Sequence, residues 1–202
     1  MTPVVDTKTV TEVHWGEARL RIQPADILLF GGWSLWPSIP IRWWKNGRPW
    51  TDPRSWVSLS PWSHAEVAAK VTIEGSPSVL CGWGSVGGGV RLMPLSRLLA
   101  TYGKFHWCSC LNEEARERAI LHGHDLWRSD EKEIFRGRYP TWRQYVRTAF
   151  AGLYGEKVDY DPLGFTCAEW VAAFHGLPSP AKWMPIELPQ CGLFGPPVLV
   201  VL

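Results

Sequence analysis

Apolar residues along this chain come in short runs that glycine, proline and serine interrupt. Short apolar or alternating runs bounded by turn residues are typical of β-strands that lie in a core. The runs predict five strands, at Ile27 to Phe30, His64 to Ile73, Val79 to Trp83, Lys104 to Cys110, and Val198 to Leu202. The spacing of polar and apolar positions elsewhere in the chain predicts helices.

Two of the predicted helices are marked by their first residues. Asn112 is a good N-cap and is followed by acidic residues, which favour the start of a helix. A second helix opens at a Thr141-x-x-Gln144 capping box, shows apolar residues at i, i+3 and i+4 spacing, and ends at Gly155. Strands and helices together predict an α+β fold in which an antiparallel sheet packs against helices.

A third predicted helix starts at a cysteine. Thr166 and Glu169 have the spacing of a capping box around Cys167, and Gly176 supplies a stop. The apolar stripe that would pin this helix to a core consists of Trp170, Val171 and Phe174. Cys167 is therefore expected in the first turn of a short, buried helix.

A thiol in the first turn of a helix lies at the positive end of the helix dipole, near backbone N–H groups without helical partners. Both favour the thiolate, which is the nucleophilic form of cysteine. Cys167 is therefore a candidate nucleophile. The alternative is that Cys167 is a small buried hydrophobic residue that follows a cap.

His64 is the candidate base for that thiol. It begins a predicted strand, and the period of two places Glu66 on the same face of the strand. Imidazole exchanges a proton with a thiol near pH 7, and a carboxylate two residues further on can orient the ring. A structural histidine at the start of a strand is the alternative. The order His then Cys is the reverse of that in ordinary papain-type peptidases.

Four segments resemble, in order, the motifs of the circularly permuted branch of the NlpC-type cell-wall cysteine peptidases. The resemblance covers roughly residues 23 to 178. The segments are Gln23 to Phe30 (QPADILLF), Ile39 to Trp44 followed by Ser60 to His64 (IRWW and SPWSH), Gly89 to Leu95 (GVRLMPL), and Tyr160 to Glu169 (YD and FTCAE).

The resemblance implies a permuted papain-like fold in which Cys167 is the nucleophile and His64 the base. It implies cleavage of an amide bond in peptidoglycan stem peptides. Two positions depart from the family pattern. Ala25 replaces a glycine, and the strand Val79 to Trp83 offers no polar residue to orient the imidazole. Glu66, a backbone carbonyl or water is left for that role.

Two other functions remain open on the same residues. Permuted relatives that resemble lecithin retinol acyltransferase also place histidine before cysteine, and they move or cleave acyl groups on lipids. A binding module that has an aromatic cleft and no turnover is the third alternative.

Tryptophan is concentrated in the connection that leads to His64. Seven of the fourteen tryptophans fall between residues 33 and 62, together with basic residues. The substrate-binding residues predicted here are Trp62, Trp43, Trp44 and Arg42, because aromatic faces stack on sugars and arginine binds carboxylates. The alternatives are packing that holds the connection in place and an amphipathic contact with a membrane.

Composition restricts the class of protein. The chain has 202 residues, 46% of them hydrophobic, which suits one catalytic domain at residues 21–202 behind an N-terminal extension at residues 1–20. A net charge of +2 favours no nucleic-acid partner.

Five cysteines without disulfide spacing suit a reducing compartment. Because Cys-x-Cys along a strand spreads the sulfurs, we expect no metal at His106, Cys108 and Cys110, and no cofactor.

Location and partners follow from what the start of the chain lacks. The first residues show neither the basic nor the apolar region of a signal peptide, and no apolar run is long enough for stable membrane insertion. We therefore expect synthesis in the cytoplasm and action elsewhere through a dedicated secretion route, as an antibacterial effector or a phage-derived lytic factor. A toxin of that kind implies an inhibitory immunity protein as a partner.

Overall fold

A computed structural model describes residues 10–31, 62–72, 77–86, 89–128, 167–180 and 183–202. Within these ranges lie seven strands and four α-helices. The strands are β1 (Glu12–His14), β2 (Ile27–Phe30), β3 (His64–Val71), β4 (Val79–Val86), β5 (Gly89–Pro94), β6 (Lys104–Cys108) and β7 (Val198–Val201). The helices are α1 (Trp15–Arg21), α2 (Leu95–Tyr102), α3 (Glu113–Arg128) and α4 (Cys167–Phe174). The fold is therefore α+β.

All seven strands belong to one sheet, in the order β1-β7-β6-β2-β3-β4-β5. The neighbouring pairs are antiparallel except at one edge, where β1 runs parallel to β7. The sheet is thus mixed rather than purely antiparallel as predicted. The parallel edge pairs residues near one end of the chain with residues near the other, a contact that no local pattern encodes.

Residues 12–21 belong to this sheet and its first helix, whereas the sequence predicts an extension there. Glu12 to His14 pair with Leu199 to Val201, and α1 follows directly. Ala18 is fully buried, and Val13 and Trp15 pack against the same core. Few side chains in this segment are apolar, so its ordering depends on a distant strand rather than on its own pattern.

The sheet separates two hydrophobic cores. On one face, α1, α2 and the residue after α1 contribute Ala18, Ile22, Leu95, Leu98 and Leu99. On the other face, α3 and α4 contribute Ala115, Ala119, Trp170, Val171 and Phe174. The central strand β2 is buried on both faces, which is why its four residues are uniformly apolar.

The start of α3 and the end of α4 follow local chemistry. The Asn112 side chain accepts a hydrogen bond from the Ala115 N–H at 2.8 Å, as an N-cap does. Gly176 adopts φ 66° after α4, and the predicted stop is confirmed. The helix predicted from Thr141 to Gly155 and the capping residue Thr166 lie outside the described residues.

Asp26, the residue before β2, connects that strand to β6 and α3. Its carboxylate accepts hydrogen bonds from the Trp107 indole N–H at 2.7 Å and from the Cys110 backbone N–H at 2.9 Å. Arg116 of α3 forms an ion pair with it at 3.1 Å. Because Asp26 is 1% exposed, this arrangement compensates a charge that burial alone would disfavour.

His175 connects the end of α4 to the turn before β2. Its Nδ1 lies 2.8 Å from the Val171 carbonyl oxygen, and its Nε2 lies 2.7 Å from the Ala25 carbonyl oxygen. Burial lowers the pKa of His175. Ala25 itself adopts φ 69°, so this position has the left-handed backbone that glycine adopts most readily.

No helix in the described part of the chain has the length and apolar character that a membrane crossing requires.

Candidate active site

Cys167 is the first residue of α4. The helix lies against β3 and β4, and all its residues except Ala173 are buried. Cys167 is 0% exposed, and its Sγ lies 3.9 Å from the backbone carbonyl oxygen of Ser63. The thiol therefore lies against Ser63, the residue that precedes β3, at the end of that strand where His64 is the first residue.

His64 and Cys167 come together as the sequence predicts. The two side chains are within hydrogen-bonding contact of each other. The imidazole also packs against the ring of Phe30, with 5.9 Å between the ring centroids, and 14% of the His64 side chain is exposed. Residues that lie far apart in the chain are thus placed as a nucleophile and a base require.

Glu66 occupies the other side of the imidazole. The His64 Nε2 lies 3.0 Å from Glu66 Oε1, and the carboxylate is fully buried. A nitrogen that donates to a carboxylate leaves Nδ1 as the ring atom that can exchange a proton with the thiol. The imidazole thus interacts with both the thiol and the carboxylate.

The charge state of His64 is set by its two neighbours. Burial disfavours the imidazolium, but the negative charges of Cys167 and Glu66 and their hydrogen bonds to the ring outweigh it. They raise the pKa of His64 to about 9. A raised pKa favours the imidazolium, which is the form that stabilises a thiolate beside it.

The other four cysteine thiols lie in surroundings that disfavour the thiolate. Burial raises the pKa of the Cys81, Cys108, Cys110 and Cys191 thiols, and the carboxylate of Asp26 raises that of Cys108 further. A raised pKa lowers the fraction of thiolate at neutral pH. These four thiols therefore lack the chemistry that surrounds Cys167.

Trp62 lies in the hydrophobic core on the sheet face that α3 and α4 cover. It is 1% exposed, and its indole N–H donates a hydrogen bond to His106 Nδ1 at 3.0 Å. Burial, with a smaller effect of Lys104, lowers the pKa of His106 to about 4. The burial of Trp62 agrees with the packing alternative, and its contact with substrate stays a prediction. Trp43, Trp44 and Arg42 lie outside the described residues.

His106 and Cys108 belong to β6, and Cys110 follows two residues later. Within the ranges that the structure describes, no three His, Cys, Asp or Glu side chains are placed to hold a metal ion. Cys108 and Cys110 pack in the core, and His106 accepts the hydrogen bond from Trp62.

A groove of about 380 Å³ lies away from the thiol. Its lining includes Val71, Leu92 and Ile120 and excludes both Cys167 and His64. The lining residue of β3 that is nearest to His64 along the strand is Val67, about 10 Å away. The groove therefore includes neither the thiol nor the imidazole.

No protein-family model matches this sequence, and no curated protein matches it either.

Proposed function

We propose that this protein is a cysteine hydrolase that cleaves an amide bond through a thioester, with Cys167 as nucleophile and His64 as acid and base. One observation carries the proposal. The thiol at the start of a buried helix is in hydrogen-bonding contact with an imidazole whose other side is held by a buried carboxylate. Perturbed groups gathered in this way are typical of catalytic sites.

In the acylation step, the thiolate of Cys167 attacks the carbonyl carbon of the substrate. The carbonyl π electrons move to oxygen, and the tetrahedral intermediate then expels the amine, which takes the proton from the His64 imidazolium. The acyl group remains on sulfur as a thioester. His64 is now neutral and ready to act as a base.

In the deacylation step, neutral His64 removes a proton from water as the water oxygen attacks the thioester carbon. The carboxylic acid leaves, and the sulfur regains its electron pair beside the newly protonated imidazole. Glu66 keeps the ring in one orientation during both steps. The backbone N–H of Cys167, at the start of α4, is the donor we assign to the developing oxyanion.

The fold we propose is the circularly permuted papain-like fold. The strand that carries His64 precedes the helix that carries Cys167, which is the order that a permutation of papain produces. The motif resemblance and a sheet covered by helices support this assignment. The substrate that goes with it is the stem peptide of peptidoglycan, and delivery as an antibacterial effector suits a cell-wall substrate.

The covered thiol places a requirement on catalysis. Cys167 is 0% exposed and only 14% of the His64 side chain is exposed, so a carbonyl reaches the sulfur after neighbouring side chains move.

Digestion of purified peptidoglycan tests the proposal. The protein should release stem-peptide fragments that mass spectrometry identifies, and Cys167→Ala should release none. His64→Ala should release them more slowly, by a factor on the order of a hundred or more, and Cys191→Ala should behave as the wild type. Intact-mass measurement after rapid acid quenching should find an acyl adduct on Cys167. An adduct formed only with phospholipid would assign the site to lipid acyl chemistry. No fragment release, together with no adduct with either substrate, would contradict catalysis.

A further inference from the structure

The surroundings of Glu66 are unusual for a buried carboxylate because the strand beside it has no side chains there. Strands β3 and β4 are antiparallel, with Ala68 opposite Gly82. The same register, extended by two residues along each strand, places Gly84 opposite Glu66. Side chains on a strand alternate between faces, so Gly82 and Gly84 lie on the face that Glu66 occupies.

The three atoms nearest to a Cβ at Gly84 all belong to Glu66. A Cβ atom built on Gly84 would lie 2.5 Å from Glu66 Cγ and 3.1 Å from Glu66 Cδ, and its third contact, at 3.3 Å, is Glu66 Cβ. Real Cβ atoms do not approach other atoms to 2.5 Å. Any side chain at position 84 therefore requires Glu66 to move.

Gly82 makes the space for the carboxylate itself. A Cβ atom on Gly82 would overlap Glu66 Oε2 and would lie 2.6 Å from Cδ1 of Leu98. On the other side of Glu66, β2 places Leu28 opposite it, and Leu28 is fully buried. The carboxylate thus fits between an apolar strand and two glycines, with the His64 imidazole 3.0 Å away.

We infer that Gly82 and Gly84 are positioning residues for the catalytic imidazole, because the side chains they lack leave the space from which Glu66 orients His64. The inference rests on the proposed function, because His64 is catalytic only if the protein is the hydrolase proposed above. It also explains how the segment Val79 to Trp83 of β4 does without a polar residue. The strand contributes space, and the polar group comes from the strand that carries the histidine.

The test is Gly84→Ala compared with Gly195→Ala. Gly195 is also buried, but a Cβ there would meet its nearest atoms at an ordinary 3.7 Å, so Gly195→Ala is the matched control. NMR titration of the protein labelled at histidine follows the His64 ring in each variant. Gly84→Ala should lower the pKa of His64 by about one unit, because the charge and hydrogen bond of Glu66 are displaced. Gly195→Ala should leave the titration unchanged.

A second measurement covers the case in which Gly84→Ala folds poorly. The double variant Glu66→Ala/Gly84→Ala removes the Cγ and Cδ atoms that a Cβ at position 84 would meet at 2.5 and 3.1 Å. Gly84→Ala should therefore lower the folding equilibrium constant at least tenfold more in the wild-type background than in the Glu66→Ala background. Equal losses in both backgrounds, or an unfolded double variant beside a folded Glu66→Ala, would overturn the inference.

Neither measurement depends on turnover, so the inference and the proposed function fail separately. An unchanged His64 titration in folded Gly84→Ala overturns the positioning role even if the enzyme is active. Where peptidoglycan is cleaved, Gly84→Ala should reduce kcat about tenfold and shift the pH profile while KM stays close to the wild-type value. A merely structural glycine would leave the pH profile in place.

Discussion

His64 Nε2 lies 3.0 Å from an oxygen of Glu66, a residue only two positions further along the same strand. Most orienting groups come from another element, because adjacent side chains on one strand face stand roughly parallel. Here the imidazole at the start of β3 and the carboxylate behind it meet directly. The pair is therefore a local feature of the sequence, whereas its contact with Cys167 depends on the whole fold.

The first prediction compares the two members of this pair. His64→Ala removes the acid and base, so peptidoglycan hydrolysis should fall on the order of a hundredfold or more. Glu66→Gln keeps the shape and a hydrogen-bonding oxygen, so the loss should be smaller, about tenfold. Steady-state rates on the same substrate check both values. Equal losses would show that the carboxylate charge is as necessary as the imidazole, and a harmless His64→Ala would exclude the mechanism.

The second prediction concerns thiol reactivity. Cys167 should react first with iodoacetamide at neutral pH, because a protonated His64 favours its thiolate while burial raises the pKa of the other four thiols. Peptide mapping by mass spectrometry over time identifies the order. Since Cys167 is covered, the rate also reports the opening of the site. Faster labelling of Cys191, together with full activity in Cys167→Ala, would contradict the assignment.

The third prediction is a dependence of stability on pH. The pKa of His64 is about 9 in the folded protein against 6.5 unfolded, so its charged form stabilises the fold fully below pH 6.5. That contribution, at most about 3 kcal/mol, should be lost as the pH rises from 6.5 through 9. Urea unfolding of the wild type and His64→Gln at about pH 6 and about pH 9.5 measures it, because these values bracket that window.

The stability difference between wild type and His64→Gln should be larger at the lower pH than at the higher one. Cys167→Ser should reduce this pH dependence more than Glu66→Gln does, because the charge of Cys167 is the larger of the two raising effects. A difference that is equal at both pH values would show that His64 titrates normally in the folded protein.

The fourth prediction concerns the backbone at Ala25. A left-handed conformation costs an alanine about 1–2 kcal/mol, and glycine avoids that cost while adding freedom to the unfolded chain. Ala25→Gly should therefore stabilise the protein slightly, by up to about 1 kcal/mol. Thermal or urea unfolding detects such a change. Ala68→Gly is the control, since Ala68 is equally buried without a positive φ, and it should destabilise.

The sequence predicts those parts of the fold that local pattern determines. Strands β2, β3, β6 and β7 follow from apolar runs, and the ends of α3 and α4 follow from Asn112 and Gly176. Strand β5 and helix α2 do not follow from the pattern in the same way. Their residues form one segment in which Pro94 ends the strand and precedes the helix, so no loop separates the two patterns.

The candidate site also combines features that the local sequence predicts with features that only the fold determines. Residue type and spacing predict Cys167, His64 and Glu66, and the described structure places them together. The space around Glu66 is not among the predictions, although the signal is present, because glycine inside a strand often marks a close approach. Which atom approaches Gly84 depends on the register of two strands, and no spacing within β4 specifies that register.

The last prediction separates packing from substrate contact at Trp62. The side chain is 1% exposed and its N–H donates to His106, so Trp62→Ala should cost about 3–5 kcal/mol and lower the melting temperature by roughly 10 °C. Trp62→Phe keeps most of the packing and loses the hydrogen bond, so its cost should be smaller. Trp183→Ala, at a partly buried tryptophan, provides the control for truncation.

Kinetics on the same Trp62 variants decide between the two roles. If Trp62 only packs, the folded fraction of Trp62→Phe should keep the wild-type KM, because no buried ring atom touches substrate. If Trp62 forms part of the cleft wall once the site opens, KM should rise while the melting temperature stays near that of the wild type. Melting curves and KM values measured on one preparation distinguish these outcomes. Packing alone predicts a lower melting temperature with an unchanged KM, whereas substrate contact predicts a higher KM with an unchanged melting temperature.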